Sequence, residues 1–275
     1  MRLRWLFVVF AIALNPGLAD AQAVEGPEFF AFAELGPTYT DNAFFTENNE
    51  LIDGYFAPTY GIQFAGVLHE SDKRSLTYYG RLFVNNERHD TFESLEGELA
   101  GALLELKYSR GPWKLVGRGY PKWGYSPGFD QLNISLYDYY GILSRRFESD
   151  KFSATPKVVL NRLDSSSIAS EATAVGCGVD FGYELSETKM LSLNLATTYR
   201  VYDQPIQGQD RKDWRHGLYA SLDWQLNDTV TTGMGVGFTV NDSSISGLSW
   251  NAFDVTPLLT LSMKLGRLRG QNRGD

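Results

Sequence analysis

Trp214-Arg215-His216-Gly217-Leu218-Tyr219-Ala220-Ser221-Leu222-Asp223-Trp224-Gln225 alternates without a break. One set, Trp214, His216, Leu218, Ala220, Leu222 and Trp224, is largely apolar. The interleaved set, Arg215, Gly217, Tyr219, Ser221, Asp223 and Gln225, is mostly polar or small. A period of two held over a dozen residues marks an extended strand with two unlike faces. The next segment repeats it, with Val230, Thr232, Met234, Val236, Phe238 and Val240 against Thr231, Gly233, Gly235, Gly237 and Thr239. So does the last, with Phe253, Val255, Pro257, Leu259, Leu261, Met263 and Leu265 against Asp254, Thr256, Thr260, Ser262 and Lys264.

The pattern extends back through the chain. Tyr60, Ile62, Phe64 and Leu68 oppose Thr59, Gly61 and Gln63, and Leu76, Tyr78, Leu82 and Val84 oppose Ser75, Thr77, Arg81 and Asn85. Val175, Cys177, Val179, Phe181 and Tyr183 oppose Gly176, Gly178, Asp180 and Gly182, and Leu191, Leu193, Leu195, Tyr199 and Val201 oppose Ser192, Asn194, Thr198 and Arg200. Two segments fit less well. Residues 92–108 suggest a register change near Leu103-Leu104, and Asp138 falls on the otherwise apolar set Leu132, Ile134, Leu136, Tyr140 and Ile142. A bulge or a place near the membrane edge would account for Asp138.

Short polar turns fall near residues 69–74, 109–111, 147–150, 186–189 and 226–228, spaced by roughly 39 residues. Longer polar stretches lie between them, near 41–50, 86–94, 121–130, 162–170, 203–212 and 241–250. Five short turns and six long loops predict twelve antiparallel strands running up and down, with both termini on the short-turn side. Membrane barrels of bacterial outer membranes have short periplasmic turns, longer outer loops and an even strand count. Both termini are therefore expected in the periplasm.

Alternation does not say which face meets lipid, and a soluble barrel would bury the apolar set. Strands of about 10 to 14 residues suit a membrane span better than the 5 to 6 common in soluble sheets. Aromatic residues of the apolar set gather at strand ends: Phe29, Tyr108, Trp113, Phe152, Tyr183 and Trp224 near the short turns, and Tyr39, Phe56, Tyr199, Trp214 and Phe253 near the long loops. Two aromatic belts about 25 Å apart are what a bilayer interface selects. The polar set is a poor dry core but a suitable wet lumen, and closure follows because a sheet edge cannot be satisfied in hydrocarbon.

Residues 1–23 read as a cleavable secretory signal. Two arginines precede the apolar run of residues 5–14, Asn15-Pro16-Gly17 breaks it, and Ala21-Gln22-Ala23 offers a cleavage site. Residues 24–275 would then form one outer-membrane β-barrel domain in a Gram-negative cell. Loss of Arg2, Arg4 and Asp20 moves the formal charge from −8 to −9, an acidic balance that argues against nucleic acid. Cys177 is the one cysteine, which excludes an intramolecular disulfide and zinc–cysteine clusters. No later run approaches 18 apolar residues, so no transmembrane helix is predicted. The polar tail after Leu265 departs from the aromatic ending common in such barrels, which leaves the assembly signal within residues 258–265 or degenerate.

Gly36-Pro37-Thr38-Tyr39-Thr40-Asp41-Asn42-Ala43-Phe44-Phe45 resembles the opening strand and first loop of a family of outer-membrane β-barrel porins, with its Gly, Tyr-x-Asp-Asn and apolar pair. A similar opening occurs in the barrels of surface-lipoprotein assembly modifiers. The resemblance covers about ten residues and implies the barrel class. Too few residues separate Ala23 from the first strand for the helical-repeat domain of that second family.

Enzymes of this architecture use Ser–His or Asp–His pairs near the outer rim. Of three histidines, His69 falls in a predicted turn, His89 in an outer loop within reach of Ser94 or Ser126, and His216 on the lipid face. No spacing marks a nucleophile, metal site or cofactor, and no cofactor is expected. The acidic loop residues Asp41, Glu47, Glu50, Glu87, Asp90, Glu93, Asp164, Asp203, Asp210, Asp213 and Asp242 suit either plain solvation or divalent bridging to lipopolysaccharide. Parity places Arg81, Lys114, Arg118, Arg145, Lys157, Arg200, Arg215 and Lys264 in the lumen, with Glu34, Asp180, Glu184, Asp223 and Asp254. A net-basic interior suits a passive channel for small polar or anionic solutes. Cross-strand ion pairs filling a narrow interior suit a non-conducting accessory barrel for surface polysaccharide or lipoprotein. The sequence leaves both readings open, with an outer-membrane hydrolase as a third. The partners expected are outer-membrane lipid, lipopolysaccharide and the barrel-assembly machinery.

Overall fold

The computed structural model describes residues 26–42, 52–167, 170–206 and 208–267; the signal segment and loop residues Glu47 and Glu50 lie outside them. Fifteen strand segments occur in the order β1 (Glu28–Leu35), β2 (Pro37–Thr40), β3 (Asp53–Phe56), β4 (Thr59–Ser71), β5 (Arg74–His89), β6 (Gly97–Arg110), β7 (Trp113–Tyr125), β8 (Leu132–Arg145), β9 (Phe147–Ser149), β10 (Phe152–Ser165), β11 (Ala172–Ser186), β12 (Lys189–Tyr202), β13 (Lys212–Gln225), β14 (Val230–Ser243) and β15 (Trp250–Arg267). β1 and β2 are one spanning strand broken at Gly36, β3 and β4 another broken at Ala57-Pro58, and β9 extends β8 past Arg146. The result is a closed antiparallel barrel of twelve strands. Among the described residues there is no α-helix and no helix able to cross a membrane.

Each strand pairs with its neighbours in sequence, so the topology is up and down. Closure comes from β1 against β15, from Glu28↔Arg267 to Leu35↔Leu259, and from β2 against β15 at Tyr39↔Val255 and Thr40↔Asp254. The Asp41-Asn42 pair reinforces this seam. The Phe253 amide donates to Asp41 Oδ1 at 2.7 Å, and the Asn42 amide nitrogen donates to the Asn251 carbonyl at 2.6 Å. Asn42 is almost fully buried there. The porin-like opening therefore acts in this chain as a fastening between first and last strands.

Two-residue turns join Ser71 to Arg74, Arg110 to Trp113, Ser149 to Phe152 and Ser186 to Lys189. Gly111 takes φ +55 in the second of these, a left-handed conformation that glycine adopts without a Cβ penalty. The first turn is tighter than the sequence suggests, because β4 carries His69 and continues to Ser71. Strands unbroken along the wall run 13 to 18 residues, and both described ends of the chain lie on the short-turn side. The register change expected near Leu103-Leu104 does not occur. β5 and β6 pair without a shift from Arg74↔Arg110 to Glu87↔Gly97, with Leu104 54% exposed.

The apolar belt faces outward. Leu218, Phe238 and Leu261 are 43%, 45% and 36% exposed, where a soluble barrel would hold them dry. The buried apolar residues are few, among them Phe32, Phe83 and Ala174. A contiguous greasy exterior of this extent is not tolerated in water and marks a surface made for lipid. Because the closed ladder satisfies the backbone, the wall can cross hydrocarbon. The aromatic residues Tyr39, Phe56, Trp214 and Phe253 at the long-loop ends, and Trp113, Phe152, Tyr183 and Trp224 at the short-turn ends, are all exposed on this outer face. Tyr199 packs at a tilt against Trp214 with ring centres 4.9 Å apart, and Tyr108 sits opposite Leu115 on the same face.

Candidate functional lumen

The interior has two unlike walls. β1 and β4 to β8 supply long side chains. Arg81 donates to both Glu34 carboxylate oxygens at 3.0 and 2.6 Å, and its guanidinium carbon lies 3.9 Å from the Phe32 ring centre. Phe83 lies over Gly101, where a Cβ would collide with its ring, and its centroid is 5.8 Å from that of Tyr120. Beside them Lys122 pairs with Asp138 at 2.7 Å, and Arg118 with Glu105 at 2.7 Å. These partners screen one another, so their charges contribute little field to the lumen.

The place of Asp138 follows from a corrected strand face. Ile134, Leu136, Asp138, Tyr140 and Ile142 point inward, because they pair with the inward residues Gly124, Lys122, Tyr120, Arg118 and Val116 of β7. Tyr137, Tyr139, Gly141 and Leu143 face lipid instead, and Leu143 opposes the exposed Val158. Apolar residues on both faces of β8 made its alternation ambiguous, and a one-residue slip exchanges the faces of a whole strand. Arg145 shares that outward parity and leaves the lumen set. It opposes Trp113, and its guanidinium carbon lies 5.4 Å from the Trp113 ring centre and 4.8 Å from that of Phe147.

The opposite wall, β10 to β14, is built of small residues. Gly176, Gly178, Gly182, Gly217, Gly233, Gly235 and Gly237 occupy inward positions. Lys157 pairs with Asp180 at 2.7 Å, and Asn194 donates to the same carboxylate. Tyr219 lies against Gly235 and Gly237. It points inward, opposite Asn194 and Gly237, yet is 46% exposed. An inward ring that open to solvent requires an unfilled interior at its level. Near the short-turn mouth a cavity of about 500 Å³ is lined by Glu28, Ala65, Val67, Thr77, Tyr79, Glu105 and Lys107 among others.

Lys264 pairs with Glu28 at 2.8 Å. Lys107, Lys122, Glu28, Glu105 and Asp138 escape the sequence reading of the interior. Glu105 and Lys107 lie in the segment whose register was in doubt, and Lys122 and Asp138 on strands whose faces hydropathy does not separate. Among the described residues Lys107, Lys114, Arg200 and Arg215 have no carboxylate partner, and Glu184, Asp223 and Asp254 have no cationic one.

His89 lies at the rim. Its Nδ1–H donates to Asp53 at 2.6 Å and its Nε2–H to Glu87 at 2.6 Å, and Tyr55 stacks on it with centroids 5.1 Å apart. Both acceptors are carboxylates, so the arrangement favours the doubly protonated ring. Ser94 and Ser126 are not among its partners. His216 meets Thr197 at 3.1 Å on the outer face. Several loop acids also have internal roles: Asp164 and Asp203 bind Arg162, each at 2.7 Å. Among the described residues no group of three His, Cys, Asp or Glu side chains is placed to hold a metal.

Burial alone would lower the His89 pKa, but the hydrogen bonds it donates to Asp53 and Glu87 more than reverse this and raise it above 6.5. A raised folded value stabilises the barrel fully below the unfolded pKa and loses that contribution as pH rises through the folded one. His89→Gln should therefore be less stable than the parent under mildly acidic conditions, with the gap closing towards alkaline pH. Thermal unfolding across pH checks this, and a gap independent of pH would reject it.

No family model matches the chain, and no curated protein matches it. Among solved structures, an outer membrane channel from Pseudomonas putida F1 is 12% identical with a TM-score of 0.56, over 91% of this chain and 100% of that one. The β-domain of the Bordetella autotransporter BrkA is 15% identical with a TM-score of 0.45, over 86% of this chain and 99% of that one. The likeness to the Pseudomonas putida channel is one of fold: this chain has the barrel architecture of an outer-membrane protein.

Proposed function

We propose that the chain is an exported outer-membrane barrel that acts as a passive channel for small polar or anionic solutes, with both termini in the periplasm. The exposure of Tyr219 inside the barrel carries this reading, since a plugged interior would cover it. The glycine-lined wall opposite the ion-paired one supports it by leaving room beside the long side chains. The shared fold with an outer membrane channel agrees with it.

Anion preference rests on which charges remain uncompensated. Paired groups cancel, so the field at close quarters comes from the unpaired ones. Those basic groups form two couples: Lys107 with Lys114 towards the short turns, and Arg200 with Arg215 towards the long loops. Glu184 and Asp223 stand near the short turns and dilute the first couple, while Asp254 is four residues further along β15 than Trp250.

The packed set Phe32, Arg81, Phe83 and Tyr120 favours the second reading, a non-conducting accessory barrel. Planar-bilayer recording of the purified protein separates the two. A channel gives discrete conductance steps and, in a salt gradient, a reversal potential of the sign set by anion flux. Absence of steps, or a potential of the opposite sign, rejects the proposal.

A further inference from the structure

The β12–β14 wall near the long loops concentrates positive charge that Asp213, the inward acid among its described residues, does not neutralise. Asp213 lies across from Arg200 in the β12–β13 register and is almost fully buried. Its two oxygens already accept from Arg211 (2.6 Å from Nη2), Ser243 Oγ (2.8 Å), Tyr202 Oη (3.1 Å) and Asn241 Nδ2 (3.4 Å). A carboxylate offers about four lone-pair directions, so Asp213 is saturated by these donors. Three arginines thus surround one carboxylate, and only Arg211 reaches it.

Arg200 and Arg215 are the remaining two. Both are half-buried and inward, on adjacent strands, where Arg215 opposes Thr198 and Arg200 stands two residues along the same strand. The Arg215 guanidinium carbon sits 5.1 Å from the Trp250 ring centre, which fixes the side chain without neutralising it. Arg200 is flanked by Ala174 on β11 and Asp213 on β13, and Arg215 by Thr198 on β12 and Asn241 on β14. Both arginines keep part of their surface exposed.

Two like charges on adjacent strands repel, and a group that relieves this is an oxyanion. Guanidinium forks match carboxylate and phosphate oxygens in shape and charge. We infer that Arg200 and Arg215 form a lumenal binding station for a compact oxyanion, the carboxylate or phosphate of a passing solute. The inference deepens the channel reading and rests on it for its biological meaning. The site itself is an equilibrium property and does not require conduction.

The test uses the mature protein folded in detergent, with calorimetric titration of inorganic phosphate and, separately, acetate. Phosphate binding stronger than acetate binding points to phosphorylated solutes, and the reverse order to carboxylates. Arg200→Gln should weaken the preferred anion by roughly tenfold, the loss expected for one charge-assisted hydrogen bond. Arg215→Gln should do the same, and Lys157→Gln, which removes a cation already paired with Asp180, should change little. Cold and heated gel mobility confirms that each variant is folded. If neither anion binds, or if Lys157→Gln weakens binding as much as Arg200→Gln, the station does not exist. A barrel that conducts but binds neither anion retains the channel reading and loses this one. A barrel that binds but does not conduct does the opposite.

Discussion

Replacing Leu218 with arginine is expected to destabilise the barrel by ~2–4 kcal/mol, the cost of an arginine on the lipid face at mid-depth. Leu218 sits in the middle of β13, with Leu195 and Phe238 as its cross-strand neighbours on the outer face. A guanidinium there loses hydration and finds no carboxylate. Thr239→Arg, in contrast, adds the same charge on the inward face opposite Gly217, where the lumen hydrates it. Its expected effect is small. Urea unfolding in lipid vesicles, followed by tryptophan fluorescence, measures both. Equal costs for the two variants would mean that the exterior and interior have been exchanged.

Asp213→Ala should cost about 3 kcal/mol, towards the lower end of what removal of one member of a buried ion pair produces. The lower end is expected because the Arg211 side chain keeps 17% exposure and is partly hydrated once its partner is gone. The rest of the effect is structural. Asp213 joins Tyr202 of β12 to Asn241 and Ser243 of β14 across its own strand, so its loss loosens three strands at the long-loop rim. Burial would raise the Asp213 pKa, but donors led by Arg211 and Ser243 more than reverse that and lower it below 3.8. A depressed folded value gives stability that is present above the unfolded pKa and is lost as pH falls through the folded one. The parent should therefore lose part of its advantage over Asp213→Ala in strong acid. A constant difference down to the lowest pH at which the barrel stays folded would contradict this assignment.

Where the two faces of a strand differ sharply in polarity, their direction was legible without coordinates. β12 to β15 show this. Leu218, Phe238 and Leu261 are apolar and outward, while Arg215, Gly237 and Thr260 are small or polar and inward. The reason is local: water and lipid are the only two environments, and each strand alternates between them. Strand number was legible for a related reason, since short turns and long loops recur once per hairpin. The rim was less so. β5 runs on to His89, so a residue read as part of a loop is instead locked between Asp53 and Glu87.

The sequence by itself determined a closed twelve-strand barrel with a greasy exterior, because a period of two and the demand for a paired backbone leave few other solutions. Tertiary structure alone decided which charges in the lumen are free. Asp138 finds Lys122, Glu105 finds Arg118 and Arg145 turns to Trp113, all through register with neighbouring strands. Arg200 and Arg215 stand unneutralised because Asp213 is saturated by donors from four other residues, a contest between side chains on three strands that no single stretch of sequence contains.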